Sequence, residues 1–434
     1  MIRIIKTTFN FLFAGSIARN SFKTSGILGV RLLVQSATIF LLAKILGAEQ
    51  FALFAAISAT AILLGVVATM GSNLIFLSET SRNPDKQYDV LSYVLPSIII
   101  SGAIAFVIYI SIIFLIFDYA TEEPGAAVAI GVAEIFLNPF ILLIAAGHQA
   151  KERIVYSQLL TSYPLIFRLV FVVVLWRAHP PGVLALLFWS YLIASTLALL
   201  TSLYNRTTSW PSIYKWRLPK RAEFNNASAF SLINFLSLAT AEVDKVLAFN
   251  LLSASSAGIY ALSTRIIGAL TFPIGAIIVA SLPRLFREGA YQNTHIIKWI
   301  FFIGLAYSFF VGFFLWWGAG YLAHLFGYGF EGLEIALEYI SLIVPALVLR
   351  IIAGNILMTR GQTWFRFIYE AIGLLTLTLL FILLSAPFGI KGIIGGLAIA
   401  EWIMAAVGWL IIINLGRKNI RPAIQQNNSS NIAR

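Results

Sequence analysis

Five cations stand where a cation is expensive: Arg31, Arg168, Lys245, Arg265 and Arg350 each lie inside a long apolar stretch of this 434-residue chain. An arginine or lysine near the centre of a bilayer costs roughly 2.5 to 3.5 kcal/mol even on lenient insertion scales, so such residues face a partner or a water-filled cavity. A guanidinium fork meets phosphate oxygens bidentately. The chemistry these residues could do is to bind an anion that has left bulk water. The same stretches hold Glu134, Glu242, Asp244, Glu338, Glu370 and Glu401. Glu242 and Lys245 are spaced i,i+3 and Arg366 and Glu370 i,i+4, the spacings of ion pairs along one helix. Glu134 and Glu401 have no obvious partner on their own helix. They, with Asp244, Glu242 and Lys245, are candidates for coupling to an ion gradient or for pairing with an arginine of another span.

The elements that carry these residues follow from composition. The chain is 59% hydrophobic and 11% charged, whereas a soluble domain is about 45 to 50% apolar and about 25% charged. Lipid must be its solvent. Apolar runs long enough to cross the hydrocarbon as helices fall near residues 25–46, 51–77, 91–117, 124–147, 154–176, 183–204, 226–251, 256–282, 297–326, 334–358, 364–385 and 392–415. The runs lack the two-residue alternation of a membrane β-barrel. The fold class expected is an all-α polytopic membrane protein with about twelve transmembrane helices.

Basic residues set the orientation. With both termini on the cytoplasmic side, that side receives the Lys and Arg of segments 3–23, 82–86, 151–153, 206–221, 284–298, 360–366 and 417–434, while the other side holds only Lys44, Arg177 and Lys391. The net charge of +12 is largely this bias, which argues against nucleic acid as a partner. Residues 1–23 read as an amphipathic helix on the inner membrane surface, and 417–434 as a disordered cytoplasmic tail. The basic segment 206–223 divides an N-terminal lobe, 24–205, from a C-terminal lobe, 224–416. The lobes repeat weakly: Leu41, Leu46, Ala48 and Ala55 recur 206 residues later as Leu247, Leu252, Ala254 and Ala261, and Pro139 meets Pro345. Six spans per lobe make these parallel copies, expected around a central cavity. Pro139, Pro164, Pro273 and Pro345 should bend spans four, five, eight and ten.

Several functions are excluded. No segment matches a P-loop, so ATP is not hydrolysed by this chain. The short loops leave no room for a sugar-transferring domain. Without cysteine there is no thiolate chemistry or disulfide, and the four scattered histidines do not suggest a metal site. No cofactor is implied. The Trp residues near span ends read as interfacial anchors and the glycine clusters as helix contacts.

The segment "AKILGAEQFALFAAISATAILLGVVATMGSN" resembles the first two spans of the polysaccharide flippases, within the multidrug, oligosaccharidyl-lipid and polysaccharide exporter superfamily. "VDKVLAFNLLSASSAGIYALSTRIIGALTFPIGAIIVASLPRLF" is similar to that family's seventh and eighth spans, and "FGIKGIIGGLAIAEW" to the start of its twelfth. One departure is the turn "MGSNLIFLSET", where many relatives place an arginine. The resemblance implies a multi-pass protein of the cell inner membrane. Its cargo would be an undecaprenyl-pyrophosphate-linked oligosaccharide, passed from the inner to the outer leaflet by alternating access, for O-antigen or exopolysaccharide synthesis. Membrane lipids, a glycan polymerase and chain-length proteins would be its partners. Arg31 and Arg265 also resemble cavity arginines of the related lipid II flippases; with Arg168 and Arg350 they are the residues expected to meet the pyrophosphate. Two rivals make different demands. A cation-coupled multidrug exporter requires an acidic cavity, and a non-transporting scaffold of a glycan assembly complex requires every buried cation to be neutralised within the bundle.

Overall fold

The computed structural model describes residues 16–118, 122–287, 294–359 and 363–432, which are mostly helical with no strand among them. The expected amphipathic N-terminus lies mostly outside the described residues. Contacts gather the chain into two compact units, Met1–Val246 and Leu247–Arg434.

The first unit contains α1 (Ser16–Thr69), α2 (Ser72–Arg82), α3 (Gln87–Ile116), α4 (Pro124–Gly131), a π turn at Val132–Leu137, α5 (Asn138–Ala150), α6 (Ile154–Ala178), α7 (Val183–Tyr204) and most of α8 (Arg221–Leu251). The second contains α9 (Ala254–Arg287), α10 (Thr294–Trp317), α11 (Ala319–Phe326), α12 (Leu333–Ser341), α13 (Val344–Thr359) and α14 (Thr363–Ile432). Among the described residues eight helical stretches are long and apolar enough to cross a membrane. Two of them, Gly26–Arg82 and Trp364–Asn414, run to 57 and 51 residues, more than twice the roughly 20 that one crossing needs. Each is broken by a glycine in the left-handed region, Gly47 at φ 65° and Gly389 at φ 55°, which an L side chain enters only with strain. Each therefore holds two crossings. The bent pair Leu333–Ser341 and Val344–Leu357, at 49°, makes one more. α8, expected as the seventh span, carries Asn234, Glu242, Asp244, Lys245 and Asn250 and is not among the helices apolar enough to qualify as a crossing.

The repeat is visible in where the helices break. Gly47 of the first unit lies 206 residues before Ser253, in the turn between α8 and α9. Pro139 follows the π turn that interrupts the fourth span, and Pro345 follows the bend of the tenth at the same offset. Gly182, at the turn into α7, and Gly389 are 207 apart.

Lipid offers no hydrophobic drive to helix pairing, so close packing of small residues does that work. Ala52, Ala55, Ala56, Ala59 and Ala68 of the second span are buried, and Ser101 Oγ of α3 reaches Ala68 O across the contact at 2.6 Å. Segment 206–223, expected as a linker between lobes, is bound to the first unit. Trp210 and Trp216 pack on Ile75, Phe76, Leu91 and Leu143, Arg217 N donates to Ser92 O at 3.0 Å, and Lys151 Nζ donates to Thr207 O at 2.8 Å. This attachment puts the division between units inside α8 rather than in the segment before it. Residues 417–432, expected to be a disordered tail, continue α14 as helix.

Candidate functional site

Arg168 projects from α6 toward the interrupted fourth span, and Glu134 lies on the π turn there. A π turn adds a residue to one helical turn and redirects its side chains. Glu134 Oε1 accepts from the Arg168 guanidinium at 2.5 Å, Ser195 Oγ of α7 accepts at 3.0 Å, and the Tyr191 ring lies 4.2 Å beneath it. Asn138 Nδ2 donates to the other Glu134 oxygen at 3.2 Å. Glu134, Arg168 and Ser195 are all buried. Three spans are thereby joined by one guanidinium.

In the second unit Arg350 of α13 donates through Nε to Glu401 Oε2 at 2.7 Å and through a terminal nitrogen to Glu370 Oε2 at 3.5 Å. Both acids belong to α14, on either side of its break at Gly389. Tyr369 is buried beside them. The third charged group is local to α8: Lys245 Nζ lies 3.1 Å from Asp244 and 3.4 Å from Glu242, and donates to Ala241 O.

Arg168 and Arg350, expected with Arg31 and Arg265 to meet a cargo, are thus engaged by carboxylates of their own units. A guanidinium with an acid at hydrogen-bond distance in low dielectric has its charge balanced already, and moving it would strand two buried ions. Glu134 and Glu401 take the pairing alternative in this geometry. The sequence missed Ser195 and Tyr191 as partners, although their i,i+4 spacing puts both on one face of α7. It also placed Glu370 with Arg366, whereas Arg350 is within reach of the same carboxylate.

Arg31 lies near the start of α1. It lines a cavity of about 390 Å³ between the start of α1 and α6, whose walls include Ile27, Val30, Val34, Leu159, Leu165 and Ile166. One guanidinium nitrogen reaches Thr161 Oγ1 at 3.4 Å. That hydroxyl donates to Gln158 O at 3.0 Å, so its lone pairs face the arginine. A cation at the wall of an apolar cavity suits a ligand with both an anionic and a hydrocarbon part. Arg265 is partly buried on α9. Among the described residues no group of three His, Asp or Glu stands together as a metal site would require.

The model of the polysaccharide biosynthesis protein family matches residues 17–288, more than half of the chain. The chain belongs to that family. Its fold is that of the superfamily named from sequence. A multidrug resistance MATE family transporter of the MOP superfamily in its inward-facing conformation is 16% identical, with a TM-score of 0.69 over 93% of this chain and 99% of that one. An outward-facing conformation of such a transporter is also 16% identical, with a TM-score of 0.64 over 94% and 96%. A MOP superfamily transporter from Pyrococcus furiosus, described as having a binding pocket of reverse polarity that suggests a different function, is 17% identical, with a TM-score of 0.64 over 93% and 95%. No curated protein matches the chain. The chain is thus a polytopic helical membrane protein of the polysaccharide biosynthesis protein family with the fold of those transporters.

Proposed function

We propose that the protein is a transporter that moves a lipid-linked oligosaccharide from the inner to the outer leaflet of the cytoplasmic membrane by alternating access, with Arg31 meeting the phosphate nearest the lipid. The observation that carries this reading is a guanidinium at the edge of an otherwise apolar cavity in a chain of the polysaccharide biosynthesis family. A hydrocarbon carrier ending in a pyrophosphate has both properties that the cavity matches. A cationic amphipathic drug has an apolar part but no anion for Arg31 to meet, and the reversed pocket polarity described for the Pyrococcus furiosus transporter is a precedent for such a difference inside one fold. The three cations held on carboxylates, Arg168, Lys245 and Arg350, are compatible with a scaffold as well as a transporter.

Orientation has support of its own. Lys151, Asn205, Thr207, Arg217 and Asp89 meet at one end of the first unit through the contacts of Lys151 with Thr207, His148 with Asn205 O and Arg217 with Asp89. Two of the basic segments that charge bias assigns to the cytoplasm, 151–153 and 206–221, thus share that end beside the start of α3.

The test is Arg31→Ala in a flippase-deficient strain. Loss of a charge-assisted phosphate contact of roughly 1.5 to 3 kcal/mol is about a ten- to hundredfold loss of affinity. Glycan export should fall accordingly at unchanged protein level, and Arg31→Lys should restore it in part, since it keeps the charge and loses the fork. Full export by Arg31→Ala at normal level overturns the assignment.

A further inference from the structure

The strap that runs from the end of α7 to the start of α8 has two unlike sides. One is fastened to the protein by Trp210, Trp216 and Arg217, as described above. The other presents Ile213, Tyr214 and Leu218, which are 71%, 100% and 69% exposed. Scattered apolar residues on a surface are ordinary, but three within six positions, on backbone fixed from behind, form a patch. Around them Lys215, Lys220 and Arg221 are exposed, with Lys215 Nζ 5.5 Å from the Tyr88 ring. Between residues 204 and 222 there are five Arg and Lys and no acid. Of the five, Arg217 is held by Glu223 and Asp89.

Position identifies the surface that this patch meets. The strap leaves a membrane-crossing helix at Tyr204, itself 90% exposed, and lies along the first turns of α3 at Tyr88, Ser92 and Tyr93. That is the depth at which amphipathic rings and basic side chains meet headgroups. We propose that residues 212–221 are a docking site for anionic phospholipid: Ile213, Tyr214 and Leu218 enter the headgroup boundary, and Lys215, Lys220 and Arg221 bind its phosphates. The all-basic charge of the strap favours anionic over zwitterionic headgroups, each cation near such a surface contributing about fivefold in affinity.

Because the chain has no cysteine, Ser212→Cys can carry a single environment-sensitive fluorophore beside the patch without disturbing it. The full-length protein is placed in nanodiscs containing lipids brominated near the headgroup, either phosphatidylglycerol or phosphatidylcholine, at the same mole fraction. Quenching by the anionic lipid should exceed quenching by the zwitterionic one several-fold. Lys215→Glu with Lys220→Glu and Arg221→Glu should equalise the two, and Ile213→Ser with Tyr214→Ser and Leu218→Ser should remove most quenching by both. All six positions are exposed, and monodispersity on size exclusion confirms that each variant is folded. Equal quenching of the unaltered strap by the two lipids overturns the proposal. So does an absence of quenching by either, which would leave the patch to a protein partner.

Discussion

Each unit buries one arginine on carboxylate, but the two units build the arrangement from opposite ends. In the first, the interrupted fourth span supplies the acid, Glu134, and the fifth supplies Arg168. In the second, the bent tenth span supplies Arg350, and the eleventh and twelfth supply Glu370 and Glu401. What the units share is therefore the place rather than the residue: the broken span always carries one half of a buried ion pair. A break inside hydrocarbon leaves backbone groups without helical partners, and these are tolerated only where neighbouring helices cover them. An ion pair across the break holds those neighbours in position. What differs is redundancy. Arg168 has one carboxylate, a hydroxyl and a ring, while Arg350 has two carboxylates.

The largest predicted effect comes from that difference. Glu134→Gln removes the one acid within reach of Arg168 in its cluster and strands a buried guanidinium, at a cost of about 3 to 5 kcal/mol. Glu370→Gln leaves Glu401 at 2.7 Å and should cost about 1.5 to 3 kcal/mol, the scale of a charged hydrogen bond. Thermal unfolding in one detergent should rank Glu134→Gln well below Glu370→Gln, and Glu134→Leu with Arg168→Leu should recover much of the loss. Equal losses for the two single variants would end the claim that the second unit is the redundant one.

How much of this was legible in the sequence depends on whether a feature is local. Apolar length showed the class and most of the crossings, and short quoted segments carried the family resemblance, because each is a property of one segment at a time. Pro139 and Pro345 marked two interrupted spans, whereas Pro164 and Pro273, expected to act alike, lie inside the uninterrupted helices α6 and α9. The partners of Arg168 and Arg350 were not legible, since they come from other spans 34 and 51 residues away, and helix packing decides which faces meet. Glu134 offered a partial signal: an acid with no partner on its own helix must find one elsewhere or bind a proton. The π turn that aims it gave none. The strap was read as a linker because basic, Pro-containing sequence between apolar runs looks like one; Trp210 and Trp216 were the residues that marked its attachment.

A smaller effect concerns the turn itself. A Cβ on Gly65 would lie 2.6 Å from Glu134 O, so the second span approaches the π turn too closely for any side chain. Gly65→Ala should cost about 1 to 3 kcal/mol through forced backbone displacement. The position 206 residues later is Thr271, which is buried with its hydroxyl donating to Gly268 O at 3.0 Å. The second unit thus accommodates a β-branched residue where the first cannot accept a methyl. Thr271→Ala, which leaves the hydroxyl's local bond unmade but creates no clash, should melt within a few degrees of the parent. If Gly65→Ala melts as Thr271→Ala does, the two broken spans are packed alike and the contrast between units narrows to their charges.

The smallest effect separates buried ion pairs from the part-exposed one that fastens the strap. Arg217 meets Glu223 bidentately at 2.8 and 2.9 Å, and Lys220 N–H adds a third bond to the same carboxylate. The Arg217 hydrogen bonds, aided by that backbone bond, hold the Glu223 carboxyl below its usual range, and the same pairing raises Arg217. Glu223 precedes the expected crossing and is partly accessible to water, so the pair is on the scale of about 0.2 to 1 kcal/mol. A depressed carboxylate stabilises the folded arrangement fully above its unfolded pKa of about 4.3 and loses that contribution as pH falls through the lower folded value. In detergent, where no lipid surface holds the strap, the anisotropy of a fluorophore at Ser212→Cys should be constant from pH 7 to 5 and drop only below about pH 4. Glu223→Gln should show the low-pH mobility already at pH 7 and lose the transition. A strap that loosens between pH 7 and 5, or one indifferent to Glu223→Gln, would mean that Trp210 and Trp216 alone secure it, and that charge fastens helices only inside the membrane.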